Sequence, residues 1–360
     1  MSETVTRSLR IPAEWEQCDA ILMALPHSGT DWADSLVDAL DCYRRMVGVM
    51  TAAGERVLML CRDKKSAADI LKTCPSGSLV LLEVPYNDTW TRDYGPITAE
   101  RHGRIRALDF AFNGWGLKFA ADRDNLVNYT LSRAGVYQES CYRSELDYVL
   151  EGGSIDTDGQ GTVLTTSRCL LSPNRNGFLS KQRAAEELHR RLGFEHVLWL
   201  DHGSLDGDDT DSHIDTLARM APEETIIFTG CHNPKDSHFT SLQLMRSQLQ
   251  RFRTAEGNGF NLVEIPLPDP VCDSEGMRLP ATYANYLVTP RNVFVPTYGQ
   301  PQNDLLALRT IQTVFPTRKV TGIDCRALVV QHGSLHCATM QIPVGVLNPA
   351  IFETLNPLNN

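Results

Sequence analysis

The chain has 360 residues, 42% of them hydrophobic and 22% charged, the proportions of a folded globular protein and not of a disordered one. Lys and Arg number 34 against 44 Asp and Glu, a net charge of −10 that argues against nucleic acid or an anionic membrane as partner and is compatible with a small cationic substrate. No apolar run approaches the ~18 residues of a membrane span, Met1–Arg10 is polar without a leader core, and the ten scattered cysteines form no CxxC pair, so reduced thiols in the cytoplasm are expected.

Ala20–Leu25 reads as a strand ending at Pro26. Asp34–Ala53 reads as a helix, with Leu36, Val37, Leu40, Tyr43, Met46, Val47 and Met50 on one side and Gly54 past its end. Arg56–Cys61 is the next strand, Lys65–Thr73 a helix and Ser78–Val84 a strand. The alternation returns at Thr162–Thr165, Lys181–Leu192, Val197–Leu200, Thr225–Thr229 and Ser237–Arg253. It continues through Leu262–Ile265, Asn285–Val288, Val293–Val295, Leu305–Phe315, Lys319–Ile323 and a strand at Ala327–Val330. This is an α/β chain throughout. Composition shifts nowhere and no linker appears, so residues 1–360 are expected to form one domain, with 1–10 an extension and 344–360 a tail. The strand–helix–strand rhythm leaves room for divergent structural repeats. No glycine-rich phosphate loop occurs, which disfavours a nucleotide enzyme.

Four polar segments combine reactive side chains with small residues: Asn87–Pro96, Glu151-Gly152-Gly153-Ser154, Gly207–Asp215 and His332-Gly333-Ser334-Leu335-His336-Cys337. Such clusters at the ends of α/β strands are where sites usually form. The spacing Asp206, Asp208, Thr210 fails as a calcium loop, because position six is Asp211 and position twelve Leu217. Cys337 follows a glycine-containing turn, and a cysteine thiolate is a strong nucleophile once a cation lowers its pKa. Taken singly, a buried structural thiol is the commoner role for such a cysteine. His213 is a better base candidate than the adjacent His336. The Gly152-Gly153 pair allows close backbone approach or positive φ. Asp93, Glu151 and Asp215 supply carboxylates, and Trp90 an aromatic face. Together these residues suit a guanidinium substrate: two carboxylates grip its planar N–H donors, an aromatic ring covers its face, and its charge stabilises a thiolate.

The chain resembles the agmatine deiminase family, related to bacterial-type peptidylarginine deiminases within the guanidine-modifying, pentein superfamily. The resemblance rests on Ile11-Pro12-Ala13-Glu14-Trp15-Glu16, Trp90–Pro96, Glu151-Gly152-Gly153, Asp208–Asp215, Arg278-Leu279-Pro280-Ala281-Thr282-Tyr283 and Gly333–Cys337, in the family's order. It implies a five-bladed α/β propeller of pseudo-fivefold ββαβ units around a central site. It also implies roles: Cys337 as nucleophile, Asp93 and Asp215 on the guanidinium nitrogens, Glu151 and His213 as the proton-handling pair. Trp90 would line the substrate tunnel, and Gly152 and Gly153 would join Asp93 and Asp215 in substrate binding. No metal or organic cofactor is implied, and a homodimer is suggested. The implied reaction is hydrolysis of agmatine to N-carbamoylputrescine and ammonia through an amidino-cysteine, in putrescine biosynthesis. The alternatives are deimination of peptidyl-arginine or another N-substituted arginine, an amidinotransferase, and a non-catalytic binding protein. The sequence departs from common members at Ala24-Leu25-Pro26-His27 and His332-Gly333-Ser334-Leu335.

Overall fold

The structure, a computed structural model, describes residues 9–75 and 77–354. Its strands fall into five sheets. One local rule generates each of them: two strands pair antiparallel, a helix crosses over, and a further strand adds parallel. In the first sheet Ile97–Arg101 and Arg104–Ala111 form the hairpin, Val127–Arg133 the helix and Tyr142–Val149 the parallel strand. The second uses Ile155–Thr157, Thr162–Thr166, the helix Lys181–Leu192 and His196–Leu200. The third uses Ala218–Ala221, Thr225–Gly230, Phe239–Leu249 and Asn261–Pro266. The fourth uses Leu287–Val288, Asn292–Thr297, Pro301–Val314 and Lys319–Asp324. In the fifth, the late strand Met340–Pro343 pairs antiparallel with the early strand Cys18–Ala24. The helix Leu36–Ala52 then leads to the parallel strands Val57–Cys61 and Leu79–Glu83. The repeats left open by the sequence are therefore present as structure.

Turn chemistry sets the hairpins. His102 and Gly103 take positive φ (50° and 70°) between Arg101 and Arg104, as a two-residue hairpin turn with matching twist requires. The strands Val57–Cys61 and Cys18–Ala24 are buried along nearly their whole length, as expected where helices cover a parallel sheet. The helix Leu36–Ala52 sinks Cys42, Tyr43, Met46, Val47 and Met50 against them. No helix among the described residues is long and apolar enough to cross a membrane.

Several expectations need correction. Ala327–Val330 is no strand: the short helix Arg326–Val329 occupies this stretch, since a four-residue apolar run carries no period that tells the two apart. Asn285 precedes its strand, which spans Leu287–Val288. Residues 9 and 10 are not part of a loose extension, because Leu9–Arg10 pairs with Ile97–Arg101; residues 1–8 lie outside the described set. Nor is 344–360 simply a tail. Val346 and Leu347 are buried, the Val346 carbonyl accepts from the Gln138 amide, and Ile351–Thr354 is helical; 355–360 lie outside the described set. The first sheet escaped the sequence reading because its strands alternate polar and apolar residues without an apolar run.

A buried ionic network ties the five units together where their hairpin strands meet. Arg219, in the third sheet, donates to Asp156 in the second, to Glu14, and to the carbonyls of Ala284 and Tyr286 at the fourth. Its guanidinium also lies 4.8 Å from the centre of the Tyr286 ring. Glu14 takes Arg92, ahead of the first sheet, at 3.0 Å, and Gln341 of the fifth at 3.1 Å. Removing one partner of a buried pair strands the other charge, at a cost of roughly 3–5 kcal/mol. Arg219→Ala is expected to lower stability by about that amount in a denaturant titration, whereas Arg183→Ala on the exposed face of Lys181–Leu192 is expected to change it by less than ~1 kcal/mol.

Candidate active site

Each unit contributes one short segment immediately before the strand that begins its hairpin. These are the turn Thr91–Tyr94, the turn Gly152–Ser154, the turn Ile214–Thr216, residues 282–285 and residues 334–337. The structure thereby brings Asp93, Glu151, His213, Asp215 and Cys337 together from four units, and the fourth unit adds Asn285. A cavity of about 120 Å³ opens over them, lined by Trp90, Asp93, Trp115, Phe119, His213, Asp215 and Cys337 among others.

Asn285 fixes the cysteine turn. Its side-chain oxygen accepts the peptide N–H groups of His336 (2.9 Å) and Cys337 (3.2 Å), and its amide donates to Cys337 Sγ at 3.2 Å. Cys337 Sγ also lies 3.7 Å from Asp215 Oδ2. Burial, then the charges of Asp215 and Asp93, push this thiol well above its ordinary pKa, while the Ser334 backbone and the Asn285 amide pull the other way. These surroundings favour the thiol over the thiolate.

His213 is aimed by strain. Asp211 and Ser212 both take positive φ (66° each), and Asp208 holds them by accepting from the Ser212 amide at 2.6 Å. The imidazole then sits between two carboxylates, with Nδ1 3.5 Å from Asp93 Oδ1 and Nε2 3.8 Å from Glu151 Oε2. Burial disfavours its charge, but Asp93, Cys169 and Glu151 outweigh that and hold the imidazolium well above the ordinary histidine range. Glu151 in turn rests on Arg175, whose Nε approaches its two oxygens at 2.9 and 2.8 Å with both side chains fully buried. Burial raises the Glu151 carboxyl, and His213 and Arg175 more than reverse it.

The two aspartates differ. Asp93 accepts the Gly153 amide and the Trp115 indole N–H, each at 2.9 Å, yet burial and the nearby Asp215 charge leave its carboxyl raised. Asp215 meets the same burial, but His336 and His213 hold it below its ordinary value. Asp215 Oδ1 and His213 Nε2 are buried without a hydrogen-bond partner. Trp115 reaches Asp93 from a turn in which Gly114, Trp115, Gly116 and Leu117 all take positive φ, pinned by Lys118 on Asp211 at 2.8 Å.

Trp90 lines the cavity and stacks obliquely on Trp32 at 5.6 Å. Gly333 packs against this ring: a Cβ there would stand 2.3 Å from Trp90. Glu151 lies behind His213, outside the cavity lining. Gly152 and Gly153 are not among the residues lining this cavity, and neither has positive φ; both are packed closely against their neighbours. A Cβ on Gly153 would stand 2.7 Å from His213 Nδ1 and 2.8 Å from Asp93 Oδ1, and one on Gly152 2.1 Å from the Arg92 carbonyl. Sequence reasoning missed Asn285, Trp115, Cys169 and the pairing of Arg175 with Glu151. Asn285 lay two residues past a quoted motif, inside an assumed strand. Arg175 is committed to the buried Glu151 and Arg92 to the half-buried Glu14, and the exposed Arg168 lies off the cavity. Among the described residues, Glu151, Cys169 and His213 place donor atoms within 4.8 Å of one another, close enough for a metal ion, but Arg175 already supplies a positive charge to that carboxylate.

The chain is an enzyme of the Porphyromonas-type peptidyl-arginine deiminase family, whose model matches residues 10–343. It is similar to a Porphyromonas gingivalis protein named "Putative Arginine Deiminase", with 42% identity, 94% of this chain and 100% of that one covered, and a TM-score of 0.88. It is similar to a substrate-bound cysteine-to-serine variant of C. jejuni agmatine deiminase, with 34% identity, coverage of 95% and 98%, and a TM-score of 0.85. The agmatine deiminase of Enterococcus faecalis matches at 29% identity, with coverage of 94% and 97% and a TM-score of 0.84.

Two expectations follow from the geometry. Gly153→Ala forces atoms apart in a filled space and is expected to lower the melting temperature by the equivalent of about 1–3 kcal/mol; an unchanged transition would show that the site relaxes freely. Asn285→Ala removes a donor from sulfur, which raises the thiol pKa further. Alkylation of Cys337 by iodoacetamide at pH 8 is therefore expected to slow, in proportion to the lost thiolate fraction.

Proposed function

We propose that this enzyme deiminates a guanidino substrate, with agmatine foremost. The observation that carries the reading is the lining of the cavity. Cys337 shares it with the buried carboxylates Asp93 and Asp215, and towards solvent stand the half-buried Asp88, Asp208 and Asp209 and the exposed Asp31, with no Lys or Arg among the lining residues. A guanidinium fits the inner carboxylates and an ammonium the outer ones. Free arginine would bring an α-carboxylate into an acidic mouth without a Lys or Arg in the lining to meet it. Peptidyl-arginine, which the family's description names, has no such carboxylate, but it would leave the outer acids unused.

Bound between Asp93 and Asp215, the substrate cation offsets the charges that disfavour the Cys337 thiolate, and the thiol releases its proton to solvent, where it ends on the expelled ammonia as ammonium. The thiolate adds to the guanidinium carbon to give a tetrahedral adduct. His213, held charged by Asp93 and Glu151, gives a proton to the departing nitrogen, and the C–N bond breaks to release ammonia. The remaining amidino-cysteine is attacked by water, whose proton passes to the now neutral His213. The sulfur leaves and a ureido product forms, N-carbamoylputrescine from agmatine, a precursor of putrescine. Atoms balance as substrate plus water giving urea derivative plus ammonium. Proximity of sulfur and carbon, fixed by the two aspartates, supplies several kcal/mol of the acceleration. Trp90 covers the guanidinium face.

We read the five sheets as the blades of a pentein propeller and the whole chain as one catalytic domain, on the strength of the repeated hairpin–helix–strand unit.

The test is ammonia release from agmatine, arginine, N-acetylarginine amide and an arginine peptide side by side. Agmatine is expected to lead by ~100-fold in kcat/KM, about 2.7 kcal/mol. A lead for the peptide would move the reading to protein citrullination, and silence on all four would end it. Cys337→Ala is expected to abolish turnover with the fold retained. Burial holds the Asp88 carboxyl up at about 6, so it is anionic above that pH and neutral below. KM for agmatine is accordingly expected to rise as pH falls through about 6, with a smaller rise for N-acetylarginine amide, which carries no ammonium.

A further inference from the structure

The motif Ile11–Glu16 and the histidine beside Cys337 have no part in the chemistry above, and they meet in the structure. His336 Nδ1 lies 2.8 Å from Asp215 Oδ2, and His336 Nε2 lies 2.7 Å from Glu14 Oε1. Both neighbours are carboxylate oxygens, which bracket the ring at its two nitrogens. Glu14 cannot drift, because Arg92, Arg219 and Gln341 also hold it. His336 cannot swing, because its peptide N–H is taken by Asn285 Oδ1 and its ring is 1% exposed. The outcome is asymmetric at Asp215: Oδ2 is tied, while Oδ1 is buried with no partner.

We propose that Glu14 and His336 are positioning residues, a carboxylate–imidazole chain that orients Asp215, keeps it anionic in a buried site, and reserves Oδ1 for the guanidinium. The inference rests on the deiminase reading and adds to it residues that never touch the substrate. The charged and titratable groups that act on Asp215 are His336, His213, Arg219 and Arg92, which favour its anion, and Cys337 and Asp93, which oppose negative charge beside them. Those that act on His336 are Asp215 and Glu14. Without His336, burial dominates and the Asp215 carboxyl rises. Its ionisation then joins that of Asp88 in the low-pH limb of kcat/KM for agmatine, which moves to higher pH.

The test compares wild type with His336→Ala, His336→Asn and, should either fold poorly by melting temperature, Glu14→Gln. Two readouts are taken. One is the protection of Cys337 from iodoacetamide by methylguanidine, which needs no turnover; the other is the pH profile of kcat/KM for agmatine. A lost hydrogen bond to a charged group corresponds to roughly 10- to 100-fold in affinity. His336→Ala is expected to weaken methylguanidine protection by that factor and to move the acid limb upward, with KM affected more than kcat. His336→Asn, whose amide can still donate to Oδ2, is expected to recover part of the protection. Glu14→Gln is expected to shift both readouts in the direction of His336→Ala. A folded His336→Ala with wild-type protection and an unmoved acid limb overturns the inference. Absence of protection in the wild type would instead overturn the guanidinium reading itself.

Discussion

The structure depends on a charge that has nowhere to go. Arg219 is fully buried, and its guanidinium is satisfied only when Asp156, Glu14 and the carbonyls of Ala284 and Tyr286 surround it at once. Those groups come from separate sheets. A buried ion tolerates no missing partner, so the network demands that the units arrive in one relative arrangement, which apolar packing alone does not specify. The same groups connect to the cavity lining through hydrogen bonds. Glu14 binds His336, His336 binds Asp215, and Asp215 lies beside Cys337. Architecture and site are thus continuous through hydrogen bonds.

Repetition explains why the polar groups converge. Every unit begins with a short turn before a hairpin strand, and equivalent turns of related units meet. The unit that offers Asp93 in one place offers Asp215 in another and Cys337 in a third. Small differences among the turns then separate the roles. Asp215 gains an imidazole and stays low, while Asp93 gains neutral N–H donors and rises. A histidine placed between Asp93 and a salt-bridged glutamate is held charged. One fold element thereby produces an anion, a proton donor and a nucleophile within a single enclosure.

Much of this was legible in the residues. The apolar runs around Ile21, Leu58 and Leu81 mark buried parallel strands because helices cover both their faces. The reactive segments Trp90–Pro96, Glu151–Ser154, Gly207–Asp215 and Gly333–Cys337 stand out because turns rich in Gly, Asp and Ser have no reason to hold Trp, His and Cys together. What escaped had physical causes. Asn285 looks like the start of the strand it precedes, and its function lies in hydrogen bonds to a turn 51 and 52 residues away. Arg175 carries no local signal, since its partner Glu151 is brought to it by the cavity wall. The polar first sheet hides its strands by alternation, and Ala327–Val330 is too short to show a helical period. Gly153 is the reverse case: its importance was visible, but the reason is the absence of a side chain and not backbone freedom.

The pairing of Met340–Pro343 with Cys18–Ala24 has a consequence for how the protein comes into being. A chain leaving the ribosome makes Asp93, Glu151, His213 and Asp215 early and Cys337 near its end, and the strand that seats the cysteine turn must return across more than 300 residues of chain to Leu22. Closing so long a loop is slow and comes after local structure. A reactive thiol is therefore assembled against its carboxylates only when the ring of units is complete. Fragments cut short by interrupted synthesis carry the acids without the sulfur.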